Sequence, residues 1–523
     1  MGRTVTGGAW WMDTRLATAA SGACGVLAIF LAVHQLTLHH VLTGVLTPNE
    51  AINVGASTAL THGLLPYNNV QVAQPPGMAV LLLPFSWLAH AMRPVSALVL
   101  ARGATAVATV LDVFLVALAA RAYGAGASLL SGVFTALYPF AFMSTSGVTV
   151  GPWILLFTIL ALHAGLKDGQ LTTGGRLFLA GVLLGFAVSI KPWALVPALV
   201  LVGCAVTAWR TAVAPLIGGI AVGGLVPSLF FLAAAPGAFV RDVVLAELPS
   251  GPHASATSKL AELLGFGAPS GFRHPTEVAV FVGVALLVVV TLVFLIGWTS
   301  ATPYDWFVYL TALLLGLAVL LPGAMSPQYG EFALPFVALA VAVTASRLLE
   351  ALAASWSGRS SDIRATIAGA GGAMIIAAAV VVVAVAAPSS AGYAATFAHH
   401  HGIDPRATID REIPKGACTI GNNVTELVAA DRFAADSQCP PVVSPDSVLA
   451  IAKTSHGAAT ALRVAASQWE QWMSIAHFVV ISDVGEALPW TSSLVSYFHS
   501  HYALAVKGRT EIYVSRTLAV SPS

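Results

Sequence analysis

The sequence has very little charge for its length. Only 24 Lys and Arg and 23 Asp and Glu stand among 523 residues, and this charged share of 9% lies far below the roughly 25% of soluble domains. A soluble protein of this size needs a more polar surface, so the apolar excess, 57% of the chain, is expected to face lipid. The composition therefore excludes a soluble globular protein.

Cysteine and net positive charge are also scarce. Four cysteines exclude a disulfide scaffold, an iron–sulfur protein and a structural zinc module. A net charge of +1 provides no basic surface for nucleic acid. The sequence contains no Walker loop, dinucleotide fingerprint, HExxH or GxSxG motif, which disfavours a nucleotide-driven pump. We predict neither a cofactor nor a metal site.

What the sequence does contain is a series of apolar segments, most of them long enough to cross a bilayer. They predict a mainly α-helical bundle of 11 or 13 spans. Counting the 33-residue stretch 176–208 as two spans gives twelve candidates. An even number cannot join an inside N-terminus to an outside C-terminus, so either one short segment is not a simple crossing or one span is missing from the set. The long segments are 17–37, 98–120, 212–234, 278–298, 304–321, 329–347 and 366–387, and the shorter or interrupted ones are 78–92, 126–143, 148–165 and 176–208.

Basic residues near the spans predict which loops are cytoplasmic. The N-terminus, with Arg3 and Arg15, is expected inside, and Arg347 marks a late loop as inside too. Three polar segments then lie together on the outer face of the cytoplasmic membrane. These segments are 47–76, 236–276 and 322–331.

The last quarter of the chain is different, because about 20 of the 47 charged side chains follow Pro388. We therefore divide the chain into a membrane module, 1–387, and a small periplasmic α/β domain, 388–523. Short apolar runs at 417–421, 441–443, 477–482 and 511–515 predict strands, and 458–474 predicts a helix. Cys418 and Cys439 lie in this domain, and an oxidising compartment favours a disulfide between them.

The first outer loop holds one carboxylate, Glu50, directly after the first span. It can be a solvated charge at the start of a short amphipathic helix, 51–61, or a general base that takes the proton of an incoming hydroxyl. Tyr67 and Gln74, in the same loop, are candidates for substrate binding.

Basic residues outside this loop are candidates for binding a phosphate. Arg241 either pairs with Asp242 at a surface or uses its planar fork on an anion, and Arg273 is a second candidate with His274 beside it. Lys191 lies inside the apolar stretch 176–208, so it either snorkels at a turn or faces a polar cavity. Gln328 and Tyr329 can bond the same anion or cap the next span.

Several phrases in this order resemble the GT-C superfamily of integral-membrane glycosyltransferases, especially actinobacterial members that use polyprenyl-phosphate sugars to build the cell envelope. The resemblance covers nearly the whole chain. It rests on an acid after the first span, then G-x-x-PY and PPG (Gly63 to Gly77), FVRDVV (Phe239 to Val244) and SPQYGEFALP (Ser326 to Pro335). Family members usually have aspartate where this chain has Asn49, and often an acid where Asn68 and Asn69 stand.

The resemblance implies an inverting transfer of mannose or arabinose from a polyprenyl phosphate to a glycan or glycolipid acceptor. Glu50 is then the base, and basic and hydrogen-bonding groups hold the leaving phosphate. Two alternatives stay open. The chain can be a transporter or flippase of lipid-linked sugars, which Lys191 fits, or an inactive homologue that acts as a binding subunit, which the asparagine departures allow.

Overall fold

A bundle of helices forms most of the protein, with a small mixed sheet near the C-terminus. The computed structural model describes residues 14–38, 41–45, 50–138, 141, 144–246, 255–263, 287, 290–291, 301–320, 327–355, 403–433 and 439–519. The helices of the bundle are α1 (Thr14–Leu36), α2 (Ala51–Thr61), α3 (Gly77–Leu88), α4 (Pro94–Ala119), α5 (Ala125–Ala136), α6 (Gly151–Gly165), α7 (Gly175–Ile190), α8 (Leu195–Ala205), α9 (Ala214–Ala234), α10 (Ala256–Leu263), α11 (Pro303–Leu320) and α12 (Pro327–Ser355).

Four helical stretches in the described residues are long and apolar enough to cross a membrane. Their exposed side chains are largely aliphatic and aromatic, as lipid contact requires, for example Phe30 of α1 and Val226 of α9. The prediction of a membrane protein built mainly from helices is therefore confirmed at this level. The stretches are Arg15–Leu36, Pro94–Tyr123, Pro192–Ala234 and Tyr329–Leu348.

Helices α7 and α9 touch backbone to backbone. A Cβ atom added to Gly181 or Gly223 would overlap a carbonyl oxygen of the other helix. Small residues at such a contact let two membrane helices approach closely and gain dispersion energy without side chains between them. The contact therefore fixes the spacing of these two helices.

The candidate span 78–92 corresponds to α3, and contacts place α3 beside α2 at one end of the bundle. Its start packs on Ser189 at the end of α7. Near its other end, Ser86 donates to Ser57 of α2 at 2.8 Å. Twelve residues span about 18 Å, well short of a bilayer core of about 30 Å. A segment 78–92 that does not cross would leave eleven candidates, although 278–298 and 366–387 lie outside the described residues and the count stays a prediction.

Helix α2 has the predicted bounds but a different environment. The expectation of an amphipathic helix on the membrane surface is wrong in one respect, because most of its side chains are buried. A Cβ on Gly55 would lie 2.7 Å from Val424 and 2.8 Å from Val443, so residues near the C-terminus cover the helix. The helix ends at Thr61, and Gly63 follows with a φ of 77° that favours glycine.

The C-terminal unit, defined here as residues 403–433 and 439–519, contains a four-stranded sheet of order β3-β4-β6-β5. β3 pairs with β4 in parallel, and the other two pairings are antiparallel. A two-stranded hairpin, β1 (Leu166–Lys167) with β2 (Gln170–Leu171), lies in the bundle. The unit's elements are β3 (Thr419–Gly421), β4 (Phe478–Ser482), β5 (Tyr502–Val506), β6 (Thr510–Ser515), α13 (Arg406–Glu412), α14 (Val424–Ala429), α15 (Pro445–His456), α16 (Ala458–Ile475) and α17 (Ser492–His501).

Three of the four predicted strands are present in this sheet, and one is not. The run 441–443 has no strand, because Pro440 precedes it and Pro441 opens it. Val442 and Val443 are buried, and Val443 lies against Gly55 of α2. Strand β5 was not predicted. Cys418 and Cys439 form a disulfide with Cα atoms 5.3 Å apart. The domain boundary at 387/388 lies outside the described residues and stays a prediction.

Glu426 of α14 gives the C-terminal unit a pH-dependent stability. Its side chain is fully buried and accepts from the Thr510 hydroxyl at 3.3 Å. Burial raises the pKa of the Glu426 carboxyl from 4.5 to about 7. Since the pKa is higher in the folded state, the protonated Glu426 carboxyl stabilises the folded unit. This stabilisation is fully present below pH 4.5 and is lost as the pH rises through 7.

We therefore expect Glu426→Gln to unfold like the wild type at pH 5 and at a higher temperature at pH 8. The difference should reach up to about 3 kcal/mol, at about 1.4 kcal/mol per pKa unit. Thermal unfolding of the full chain followed by circular dichroism measures it, with Asp431→Asn at an exposed acid as control. Equal slopes of stability against pH for Glu426→Gln and wild type would contradict the assignment.

Candidate functional site

Glu50 lies at the start of α2 in a closed ion pair with Arg102 of α4. Nε of Arg102 donates to Oε1 at 2.9 Å and Nη2 to Oε2 at 2.5 Å, while the backbone N–H of Val148 donates to Oε1 at 2.9 Å. Both side chains are nearly inaccessible, at 3% and 1% exposure. Nη1 of Arg102 also donates to the carbonyl oxygens of Val41 and Leu42. The pair therefore ties the first loop to α4 and to the segment before α6.

A second buried acid, Glu331 of α12, lies on the other side of that segment. Oε2 accepts from the Ser144 hydroxyl, and a Cβ on Gly151 would overlap the same carboxylate. Within the described part of the chain, Oε1 of Glu331 is buried and has no hydrogen-bond partner. Residues 144–151 are thus held between a carboxylate neutralised by arginine and one that has an open acceptor.

Lys191 occupies the turn between α7 and α8. It adopts an extended conformation before Pro192, as residues preceding proline do, and this ends α7. Its side chain is 4% exposed and lines a small cavity of about 10 Å³ together with Trp193 and Tyr329. The rings of Trp193 and Tyr329 pack at 4.8 Å. The burial of Lys191 argues against a snorkelling lysine, but the cavity that it lines is mostly apolar, so a polar cavity at Lys191 stays a prediction.

Tyr67 organises the turn after α2. Its φ of 68° is unusual for a residue other than glycine and costs on the order of 1–2 kcal/mol. The hydroxyl donates to the carbonyl oxygen of Gln74 at 2.5 Å, and the ring packs edge-on against Phe231 and Phe239. Residues held in this region of backbone space collect at functional sites. The Oε1 atom of the Gln74 side chain is buried and has no hydrogen-bond partner among the described residues.

Arg241 lies in a π-helical turn, Val240–Leu245, after α9. It pairs with Asp242, with Nε to Oδ1 at 2.5 Å and Nη2 to Oδ2 at 3.2 Å, and its side chain stays 38% exposed while Asp242 is buried. An arginine has five N–H donors, and these two bonds use two of them. The pairing and an anion contact are therefore compatible.

Arg241 lines a polar cleft of about 300 Å³ between the first loop and the C-terminal unit, hereafter the polar cleft. Two contacts tie these walls together. Ala73 N–H donates to the Ser447 hydroxyl at 3.3 Å, and Val45 pairs through backbone hydrogen bonds with Ile403. The lining residues are Tyr67, Asn68, Asn69, Val70, Gln71, Arg241, Pro441, Val442, Val443, Val448, Gln468 and Trp472.

A larger groove of about 660 Å³, almost entirely apolar, lies between α7, α8 and α9, hereafter the apolar groove. Two of its wall segments carry the basic candidates, because Pro192 and Trp193 follow Lys191, and Val243 and Val244 follow Arg241 closely. The remaining lining residues are Pro75, Pro76, Val188, Ser189, Leu195, Val196, Leu199, Ile220, Ala221, Gly224, Leu225, Ser228, Leu232 and Phe239. The segment 239–244 thus borders both the groove and the polar cleft.

Four of the predicted site residues form two pairs, and Glu50 and Gln74 line neither of the two cavities. Tyr67 and Arg241 share the polar cleft, while Lys191 and Tyr329 share the small cavity beside Trp193. Arg273 and His274 lie outside the described residues, as does the side chain of Gln328. The predicted meeting of 47–76 with 236–276 is thus seen for their described residues 67–71 and 241, joined by the C-terminal unit.

Sequence reasoning missed several buried charged residues, among them Arg102, Asp112, Asp305 and Glu331, which lie in helices of the bundle. The signal was available, because charged side chains within an apolar span are rare and point to function or to a buried partner.

Solved structures resemble this chain although sequences do not. No protein-family model and no curated protein matches it. ArnT from Cupriavidus metallidurans bound to undecaprenyl phosphate superposes with a TM-score of 0.55 at 13% identity, over 95% of this chain and 99% of that one. The Archaeoglobus fulgidus oligosaccharyltransferase tethered to an acceptor peptide superposes with a TM-score of 0.54 at 11% identity, over 90% and 70%.

These similarities establish the fold. The chain shares the overall fold of these two structures, which confirms the expected mainly helical, GT-C-like architecture, while the number of spans stays a prediction. Actinobacterial type and sugar specificity are not addressed by identities of this size.

The ion pair generates a test. We expect Glu50→Gln and Arg102→Met each to lose about 3–5 kcal/mol of stability, because either change leaves a buried group unpaired. The double variant Glu50→Gln/Arg102→Met should lose less than the sum of the two, with a coupling of about 2 kcal/mol or more. Thermal unfolding in detergent measures this, and Arg93→Met, at an exposed arginine before α4, serves as control. Additive losses would rule out the pair as the anchor of the first loop.

Proposed function

We propose that the protein transfers a sugar, mannose or arabinose, from a polyprenyl-phosphate carrier to a glycan or lipid acceptor of the cell envelope. The reaction takes place at the outer face of the cytoplasmic membrane and inverts the anomeric carbon. One observation carries the proposal. The apolar groove adjoins the polar cleft through the segment that bears Arg241, which matches a ligand with a long apolar tail and a charged, hydroxylated head.

The apolar groove supports binding of the carrier's tail. Its walls are almost entirely aliphatic and aromatic, and burying such a chain gains about 25 cal/mol per Å². A solved structure with the same fold, ArnT, holds undecaprenyl phosphate. We therefore assign the groove to the isoprenoid chain.

Two cations support binding of the carrier's phosphate. Arg241 has donors beyond those used by Asp242, and Lys191 lies next to the groove in a buried site. Arginine binds a phosphate through two parallel hydrogen bonds, and lysine adds a compact charge. As the bond between C1 and the phosphate oxygen breaks, these groups stabilise the negative charge on the leaving phosphate.

Two assignments for Glu50, catalytic base and structural anchor, lead to different outcomes. A carboxylate has about four lone-pair sites, and Arg102 and Val148 occupy three in Glu50. We keep Glu50 as the proposed base, which requires the first loop to open so that an acceptor hydroxyl reaches it. If the pair stays closed throughout, Glu50 acts as an anchor and another acid takes the proton.

A transporter of lipid-linked sugars is the second candidate. The buried Lys191 and the groove suit the transfer of a lipid headgroup across the membrane. The structural neighbours named above are glycosyltransferases, which favours chemistry over transport.

The reaction is tested in proteoliposomes with radiolabelled polyprenyl-phosphate mannose or arabinose and a glycan acceptor. We expect product with wild type and a loss of at least about 100-fold with Arg241→Gln, because the leaving phosphate loses its arginine. Arg411→Gln, at an exposed arginine in the C-terminal unit, should leave the rate unchanged. Movement of labelled lipid between leaflets without a new glycosidic bond would replace the transferase with a flippase.

The same assay separates the two roles of Glu50. If Glu50 is the base, Glu50→Gln protein that still binds undecaprenyl phosphate should transfer at least about 100-fold more slowly. Parallel loss of lipid binding and transfer identifies an anchor instead.

The groove assignment is tested by filling it. We expect Ala221→Phe to raise the undecaprenyl phosphate concentration at the midpoint of thermal stabilisation by at least about tenfold, because the new ring occupies space that the tail needs. Val222→Phe, one residue along α9 and outside the groove lining, is the matched control. A thermal-shift titration of full-length protein measures both. Equal midpoints for the two variants would contradict the assignment.

A further inference from the structure

The polar cleft is built from parts that are far apart in sequence. One wall is the turn of the first loop with Asn68, Asn69 and Gln71, and the opposite wall is α16 of the C-terminal unit with Gln468 and Trp472. Neither wall alone encloses a volume. The C-terminal unit therefore completes a site that the bundle only begins.

The chemistry of the cleft is that of a neutral, hydroxyl-rich ligand. Side-chain amides offer both donors and acceptors, which is what a hydroxyl group needs. Among the described residues, Arg241 is the only charged side chain that lines it. A volume of about 300 Å³ lies at the lower end of the range for small-ligand pockets, about 300–1,000 Å³, so it suits a ligand of one ring.

Trp472 supplies a flat apolar wall. It packs edge-on against the fully buried Trp469, with ring centroids 5.5 Å apart, and is itself only partly buried. The face of an indole carries partial negative charge and attracts the polarised C–H groups on one face of a sugar ring. Gln468 lies one helical turn before Trp472, on the same side of α16.

The opposite wall is preorganised. The turn is closed by Tyr67 N–H to Val70 at 2.8 Å and Asn69 N–H to Leu65 at 2.8 Å, and the Asn69 side-chain oxygen accepts from Leu65 N–H at 3.0 Å. With its oxygen engaged, the Asn69 amide keeps two N–H donors to offer. A wall fixed before binding loses little conformational entropy when a ligand enters.

We propose that the polar cleft is a sugar-binding subsite, in which Trp472 stacks on one face of a neutral sugar ring and the amides of Asn69 and Gln468 bond its hydroxyls. The proposal rests on the proposed function only in one respect, which is whether the bound sugar ring belongs to the donor or to the acceptor. Sugar binding itself is independent of transfer.

Binding is tested on the full chain in nanodiscs by saturation-transfer difference NMR, with methyl mannoside and methyl arabinofuranoside as probes. We expect a signal from at least one glycoside with wild type, and one weaker by at least about tenfold with Trp472→Ala. Trp472→Phe should restore part of it. Trp490→Ala, a partly exposed tryptophan of the same unit outside the cleft, should keep it. Thermal stabilisation by undecaprenyl phosphate reports whether each variant is folded.

Kinetics identify which substrate, donor or acceptor, carries the sugar ring that binds in the cleft. In the transfer assay, a rise of the acceptor's KM by at least about tenfold in Trp472→Ala assigns the subsite to the acceptor, and the same rise for the donor assigns it to the donor. Absence of any glycoside signal in folded wild type, or equal signals from wild type and Trp472→Ala, overturns the subsite. Lack of transfer with an intact glycoside signal overturns the proposed function alone.

Discussion

The bidentate pair between Glu50 and Arg102 is the contact on which the arrangement of the first loop depends. It joins the start of α2 to α4, and through Arg102 it also holds the carbonyl oxygens of Val41 and Leu42. Two opposite charges this deeply buried stabilise the loop only while both are present, because removal of either leaves the other buried and unpaired. Helix α2 and the Tyr67 turn come directly after Glu50 along the chain, and that turn lines the polar cleft. The positions of all three therefore depend on this contact.

Burial of α2 explains how the two parts of the chain cooperate. The helix packs with α3 on one side and lies against Val424 and Val443 on another, and the main apolar core of the bundle continues into these C-terminal residues. A second core, around Trp469, lies within the C-terminal unit. The unit is therefore packed on the bundle rather than tethered to it, and α16 is held close enough to face the first loop.

Composition and hydropathy carried the prediction of fold class a long way, and their limits have physical reasons. The bounds of α1, α4 and α9 follow from apolar segments that only lipid can accommodate. Helix α3 is as apolar as a span. Only its contacts reveal its place, with Ser57 of α2 near one end and Ser189 of α7 at the other. The Glu50–Arg102 pair joins residues 52 positions apart, so no local pattern encodes it. Arg102 and Glu331 were visible as charges in apolar segments, although their partners were not.

The contact between α7 and α9 has a consequence for the apolar groove that lies alongside it. Glycines bring the two backbones together, so main-chain contact sets the spacing of the two helix axes beside the groove, while aliphatic side chains such as Ile220 and Leu225 shape its surface. Two helices in such close contact cannot move nearer to each other. If the groove holds an isoprenoid as proposed, its fit to the tail is then adjusted through the rotamers of these side chains and not through closure of α7 on α9.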